Sequence, residues 1–113
     1  MKVIIAGSRD ITDKYTVIDA VKGAEFEINE VVSGAARGVD TLGEQWAEKN
    51  NIPVKQFPAD WETFGRSAGY QRNYEMARYA DALIAIWDGK SKGTLNMINS
   101  MANLKKPVYV YCP

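Results

Sequence analysis

The run Val31-Val32-Ser33-Gly34-Ala35-Ala36-Arg37-Gly38-Val39-Asp40 joins an apolar stretch to a helical pattern through a turn of small residues. Gly34 and Gly38 permit backbone angles and close approaches that a side chain blocks. Successive N–H groups at a helix N-terminus also form a nest for an anion. The guest implied by Ser33, Gly34, Ala35, Arg37 and Gly38 is a phosphate. Asp40 stands in the first turn after the nest, where a carboxylate caps backbone N–H groups or accepts from a ribose hydroxyl. Asp88-Gly89-Lys90-Ser91-Lys92-Gly93-Thr94 is a second junction of this kind, with Ser91, Thr94 and two lysines as donors. Gly7-Ser8-Arg9-Asp10 is a third polar loop, again directly after an apolar run.

Arginine placement follows these loops. Arg9, Arg37, Arg66 and Arg72 lie in or beside loops and helix starts, and the planar guanidinium fork suits phosphate and carboxylate. Net charge is zero, with 14 basic and 14 acidic residues, so no global basic field recruits nucleic acid. With no histidine and a single cysteine, Cys112, neither a metal site nor a disulfide is expected, and no cofactor is implied. No apolar run approaches the roughly 20 residues of a membrane span. The N-terminal Val/Ile run is too short for a signal-peptide core. These features predict a cytoplasmic protein with no membrane partner.

A chain of 113 residues predicts one domain, residues 1–113. Lys2 to Ala6 is a continuous Val/Ile run that predicts a strand buried on both faces. Thr12 or Asp13 caps a helix to about Phe26, with Val17, Ile18, Val21 and Ala24 at helical spacing. Strands are predicted over about 30–33, 53–57, 81–87 and 107–111. Further helices are expected over about 39–50, from the segment 60–69 through about Tyr79, and over about 93–104. Trp46 reads as core, as do Met97, Ile98, Met101 and Ala102, and Lys105-Lys106 suits the dipole of the last helix.

Gly69, Arg72, Asn73 and Met76 share one face of the helix ending near Tyr79, which suits a close approach by a ligand. Strands alternating with helices require crossover connections. The expected architecture is α/β, a single doubly wound Rossmann-like domain. Its five-stranded parallel sheet has the order 3-2-1-4-5, with helices on both faces. In such a sheet the ligand lies beyond the C-terminal strand ends where the order reverses, so the loops after the first, second and fourth strands should converge there.

With those loops in place, the chain resembles the SLOG superfamily, Rossmann-like domains related to Lonely Guy phosphoribohydrolases and DNA-processing protein A. Within it the YspA-like branch is most similar. The resemblance rests on Gly7-Ser8-Arg9, Ser33 to Asp40, Pro58-Ala59-Asp60-Trp61, Gly65-Arg66 with Ala68-Gly69, Arg72-Asn73 with Met76, and Asp88-Gly89 with Ser91-Lys92-Gly93-Thr94. It implies binding of a phosphorylated nucleotide-derived ligand, such as ADP-ribose or an NAD derivative, and frequent dimerisation. On this reading Gly7, Ser8, Arg9 and the nest hold one phosphate region, while Lys92, Gly93 and Thr94 take another. Arg72 and Asn73, on the face that carries Gly69, reach the sugar or a second phosphate. Trp61 and Tyr70 are placed to stack a base, and Arg66 is a further ligand contact.

Lonely Guy enzymes cleave an N-glycosidic bond with an arginine in an Arg-Lys-x-x-Met stretch and a glutamate three residues after a Gly-Thr pair. Here Arg72-Asn73-Tyr74-Glu75-Met76 keeps the arginine, and Met97 stands in place of the glutamate. A thioether cannot stabilise an oxocarbenium-like state, and losing such a contact costs on the order of 3 kcal/mol. An N-glycosidic hydrolase therefore needs a relocated carboxylate, for which Asp10, Asp40, Asp60, Glu75 and Asp88 are candidates. Asp60 and Asp88 are the expected catalytic pair, although Asp60 also suits a helix cap. Single-stranded DNA binding is a third reading, disfavoured by the absence of a basic strip.

Overall fold

A computed structural model describes residues 1–113. The central strand, β1 (Lys2–Gly7), buries Val3, Ile4, Ile5 and Ala6, so a run without polar alternation is covered on both faces. It pairs in parallel with β2 (Glu30–Ser33) on one side and β4 (Ala82–Ile86) on the other. The edges are β3 (Val54–Gln56) and β5 (Val108–Tyr111), giving the order β3-β2-β1-β4-β5.

Alternating side chains of β1 feed two cores. Val3 and Ile5 pack with Val17 and Ala20 of α1 (Lys14–Ala24) and with Val39 and Ala47 of α2 (Val39–Lys49). Ile4 and Ala6 pack on the opposite face with Met76 and Ala77 of α4 (Ala68–Tyr79) and with Met97 and Met101 of α5 (Lys92–Asn103). This is the doubly wound α/β arrangement predicted above. Trp46 is half-buried against the first core and Ile98 against the second, whereas Ala102 is exposed. No helix is long and apolar enough to cross a membrane.

The segment 60–69 leads to a helix through Tyr79 as expected, forming α3 (Trp61–Phe64) and a 3-10 turn (Gly65–Ser67) ahead of α4. Asp60 caps α3 by accepting the Thr63 N–H, and Gly65, at φ +56°, turns the chain before α4 starts. α1 ends at Ala24 rather than near Phe26 because Glu25 adopts a left-handed conformation. Lys106 serves a different helix from the one predicted: its ammonium donates to the carbonyls of Ala77, Arg78 and Ala80 at 2.7, 3.1 and 2.7 Å. It thereby closes the C-terminus of α4. The left-handed turn at Lys105 (φ 57°) follows the end of α5 and precedes this contact.

Candidate functional site

One residue ties the loops at the C-terminal sheet edge together. Ser8 donates its N–H to Ile86 O (3.2 Å), accepts the Val39 N–H on its carbonyl (3.4 Å) and accepts the Asp88 N–H on Oγ (3.3 Å). The loops after β1, β2 and β4 therefore meet at a buried serine. Gly38 shows how closely they meet: it has φ +75°, and a Cβ there would lie 2.4 Å from the carbonyl oxygen of Arg9. At Gly34 a Cβ would lie 2.7 Å from Arg72 Nη1 and 2.9 Å from Asp40 Oδ2. These two glycines make room for the protein's own loops and side chains.

The converging loops and α4 surround a hollow of about 640 Å³. Gly7, Ser8, Arg9, Arg37 and Asp40 line it from the first two loops. Trp61, Arg66, Gly69, Arg72 and Asn73 line it from the α3–α4 segment, and Asp88, Ser91, Gly93 and Thr94 from the loop after β4. Five expected ligand contacts are not among the lining residues: Ser33, Gly34, Ala35, Gly38 and Lys92. Lys90 lines the hollow instead of Lys92; the sequence offers both, and only the path of the loop selects one. Met76, expected on the ligand-facing side of its helix, lines the hollow with Ala6 and Met97, two core residues that the loop motifs do not signal.

The phosphate nest is occupied by the chain itself. The Ala35 N–H donates to Ser33 Oγ (3.1 Å) and the Ala36 N–H to Asp40 Oδ2 (3.2 Å). Ser33 Oγ in turn donates to the Glu44 carboxylate. A carboxylate from the first turn of α2 thus sits where the sequence suggested an external anion. The same position suits the helix dipole.

Asp40 is 6% exposed, and its carboxyl is pushed up from 3.8 to about 6. Burial dominates, opposed by the Ala36 hydrogen bond and by the positive charges of Arg72 and Arg9, while Glu44 adds to the rise. Burial pulls the Arg72 guanidinium below its usual value, and the charge of Asp40 partly restores it. Arg72 donates through Nη1 to Gly34 O (2.6 Å) and through Nε to Asn73 Oδ1 (3.1 Å). Asn73 uses both amide hydrogens within the protein, on Gly93 O and Asn96 Oδ1, so it borders the hollow as a strut between α4 and α5.

The two carboxylates expected to be catalytic are both hydrogen-bonded to backbone N–H groups. Asp60 is exposed, does not line the hollow and is spent on capping α3; the Thr63 hydrogen bonds hold its carboxyl below the usual range. Asp88 lines the hollow but braces its own turn, Oδ1 accepting the N–H groups of Lys90 and Ser91 at 2.8 Å each. Those two bonds hold its carboxyl low. The carboxylate buried at the floor is Asp40.

Residues 1–64 match the family model for YAcAr, described as the YspA, cpYpsA-related SLOG family. The chain belongs to this YAcAr family. It is also 36% identical over 119 residues to the Gene 61 protein of Mycobacterium phage D29, covering 95% of this chain and 93% of the phage protein. Among solved structures it is similar to DNA processing protein A (DprA) from Streptococcus pneumoniae, with a TM-score of 0.80 at 19% identity. That likeness covers 99% of this chain and 50% of the DprA chain, so the YAcAr chain spans half the length of that structure and shares its fold. The YAcAr match includes the loops after β1 and β2. Arg72, Asn73 and the loop from Asp88 to Thr94 lie beyond it.

Proposed function

We propose that the hollow binds a small phosphorylated nucleotide-type ligand, such as ADP-ribose or an NAD derivative, and senses or sequesters it. One arrangement carries this reading. Four exposed cations from four separate segments, Arg9, Arg37, Arg66 and Lys90, surround a single hollow whose lining includes the exposed aromatics Trp61 and Tyr70. Cations around the rim suit phosphates, and an open aromatic face suits a base. Ser91 caps α5 at this rim, so the positive end of that helix adds to the attraction for an anion. SLOG family membership points towards the same class of ligand. The reading includes a cytoplasmic location and a homodimer or higher homo-oligomer; exposed Phe64, Tyr70 and Tyr74 supply apolar surface for self-association.

A panel of nucleotides in a thermal-unfolding assay tests the proposal. A ligand at about a hundred times its dissociation constant adds about 2.7 kcal/mol of stability. No response to any phosphate-bearing nucleotide would sink the reading. Salt-dependent retention of single-stranded DNA in preference to nucleotides would replace it with a nucleic-acid function. Release of free base or ribose phosphate in the same incubations would make the protein an N-glycosidic hydrolase. Asp40 is then the carboxylate to mutate, because it alone among the acidic residues lining the hollow is buried.

A further inference from the structure

The floor of the hollow differs from its cationic rim, because it carries a carboxylate and a guanidinium together. Asp40 is more than nine-tenths buried, and the chain gives its carboxylate a single hydrogen bond, from the Ala36 N–H to Oδ2. No fully buried side-chain oxygen is left without a partner, so Oδ1, which has none, retains accessible surface, and Asp40 lines the hollow. It is an acceptor awaiting a donor. Arg72 is committed through Nη1 and Nε, while Nη2 points along α4 towards Gly69, 3.9 Å from where a Cβ on that glycine would stand. Gly69 places no side chain against that nitrogen, which makes no hydrogen bond within the chain. The floor thus presents one carboxylate oxygen and one guanidinium N–H, and the neighbouring nest N–H groups of Ala35 and Ala36 are already satisfied.

A phosphate fits this floor badly. It would meet Arg72, but it would also bring a second negative charge against a desolvated carboxylate, a like-charge contact that costs most where water is excluded. A pair of adjacent hydroxyls fits it well, since one donates to a carboxylate while the other accepts from a guanidinium. We propose that the floor is a vicinal-diol subsite, with Asp40 Oδ1 accepting from a sugar hydroxyl and Arg72 Nη2 donating to its neighbour, and that the ligand's phosphates lie at the rim. This rests on the nucleotide reading above and deepens it. It assigns Asp40 as the residue that tells a ribonucleotide from a deoxyribonucleotide, and it fixes the ligand's direction: sugar inward, phosphate outward.

Titration calorimetry on the whole chain with ADP, 2′,3′-dideoxy-ADP and inorganic pyrophosphate separates the possibilities. A hydrogen bond to a charged group predicts that ADP binds about tenfold or more tightly than its dideoxy counterpart. Asp40→Asn should bring the two within about threefold while leaving pyrophosphate binding unchanged. The wild-type comparison decides by itself if that variant does not fold. Equal binding of ADP and dideoxy-ADP to the wild type overturns the diol subsite and leaves the nucleotide reading standing. Failure of all three probes to bind overturns both. Pyrophosphate binding about tenfold or more tighter in a folded Asp40→Asn protein would also overturn it, by placing phosphate against the carboxylate at the floor.

Discussion

Arg72 Nη1 lies 2.6 Å from the carbonyl oxygen of Gly34, joining α4 to the loop after β2 across 38 residues of sequence. This bond gives Arg72 a structural role as well as a place in the hollow. Arg72→Ala should lower stability by about 1.5–3 kcal/mol, the range for a hydrogen bond to a charged group. It should also weaken nucleotide binding. Urea unfolding and calorimetry on the same preparation read the two effects. A loss confined to binding would mean that the Gly34 contact contributes nothing to the fold.

The burial of Asp40 makes stability depend on pH in a definite direction. Its carboxyl is pushed up to about 6 in the folded chain, against 3.8 in the ordinary state, so the native protein holds this proton more tightly than the unfolded one. The associated stability is complete below about pH 4 and is lost as pH rises through about 6, a loss on the order of 3 kcal/mol. Asp40→Asn abolishes that dependence. Between pH 4 and 7.5 the variant should gain on the wild type by roughly this amount in denaturant unfolding. A gap that does not change with pH would show that the carboxylate titrates as an ordinary exposed one.

Two glycines facing the same region should respond oppositely to alanine. Gly38→Ala forces a Cβ to 2.4 Å from the Arg9 carbonyl oxygen at a positive φ, so overpacking and backbone strain add. The expected cost is about 2 kcal/mol or more. Gly93 is helical, and a Cβ there meets nothing within 4 Å. Gly93→Ala should raise stability by about 0.5 kcal/mol while adding a methyl group to the lining and weakening nucleotide binding. Equal unfolding midpoints for the two variants would refute this account of the loop packing.

Asp60 and Asp88 are separable by experiment. Asp60→Ala removes the cap of α3 and should lower the melting temperature without changing nucleotide affinity, because Asp60 does not line the hollow. Asp88→Ala frees the N–H groups of Lys90 and Ser91, loosens the approach to α5 and should weaken binding. A calorimetric comparison that reverses these outcomes would place Asp60, not Asp88, against the ligand.

Much of this arrangement is written in local sequence. The unbroken apolar runs 3–6 and 82–86 demand burial on both faces, and the intervening helical spacing demands crossovers. The sheet order and the meeting of three loops follow from those constraints together. Loop glycines and arginines likewise mark the edge where the hollow forms. What a loop holds depends on who arrives first, and that is a matter of distance across the fold. Ser33 to Gly38 carries the composition of a phosphate nest, but Asp40 folds back onto Ala36, and Ser33 is taken by Glu44. Lys106 sits beside the end of one helix and neutralises the end of another. Spacing along a chain fixes which groups are available. Only packing decides whether a donor meets a ligand or a neighbouring side chain, because hydrogen bonds saturate and the nearest partner is a tertiary fact.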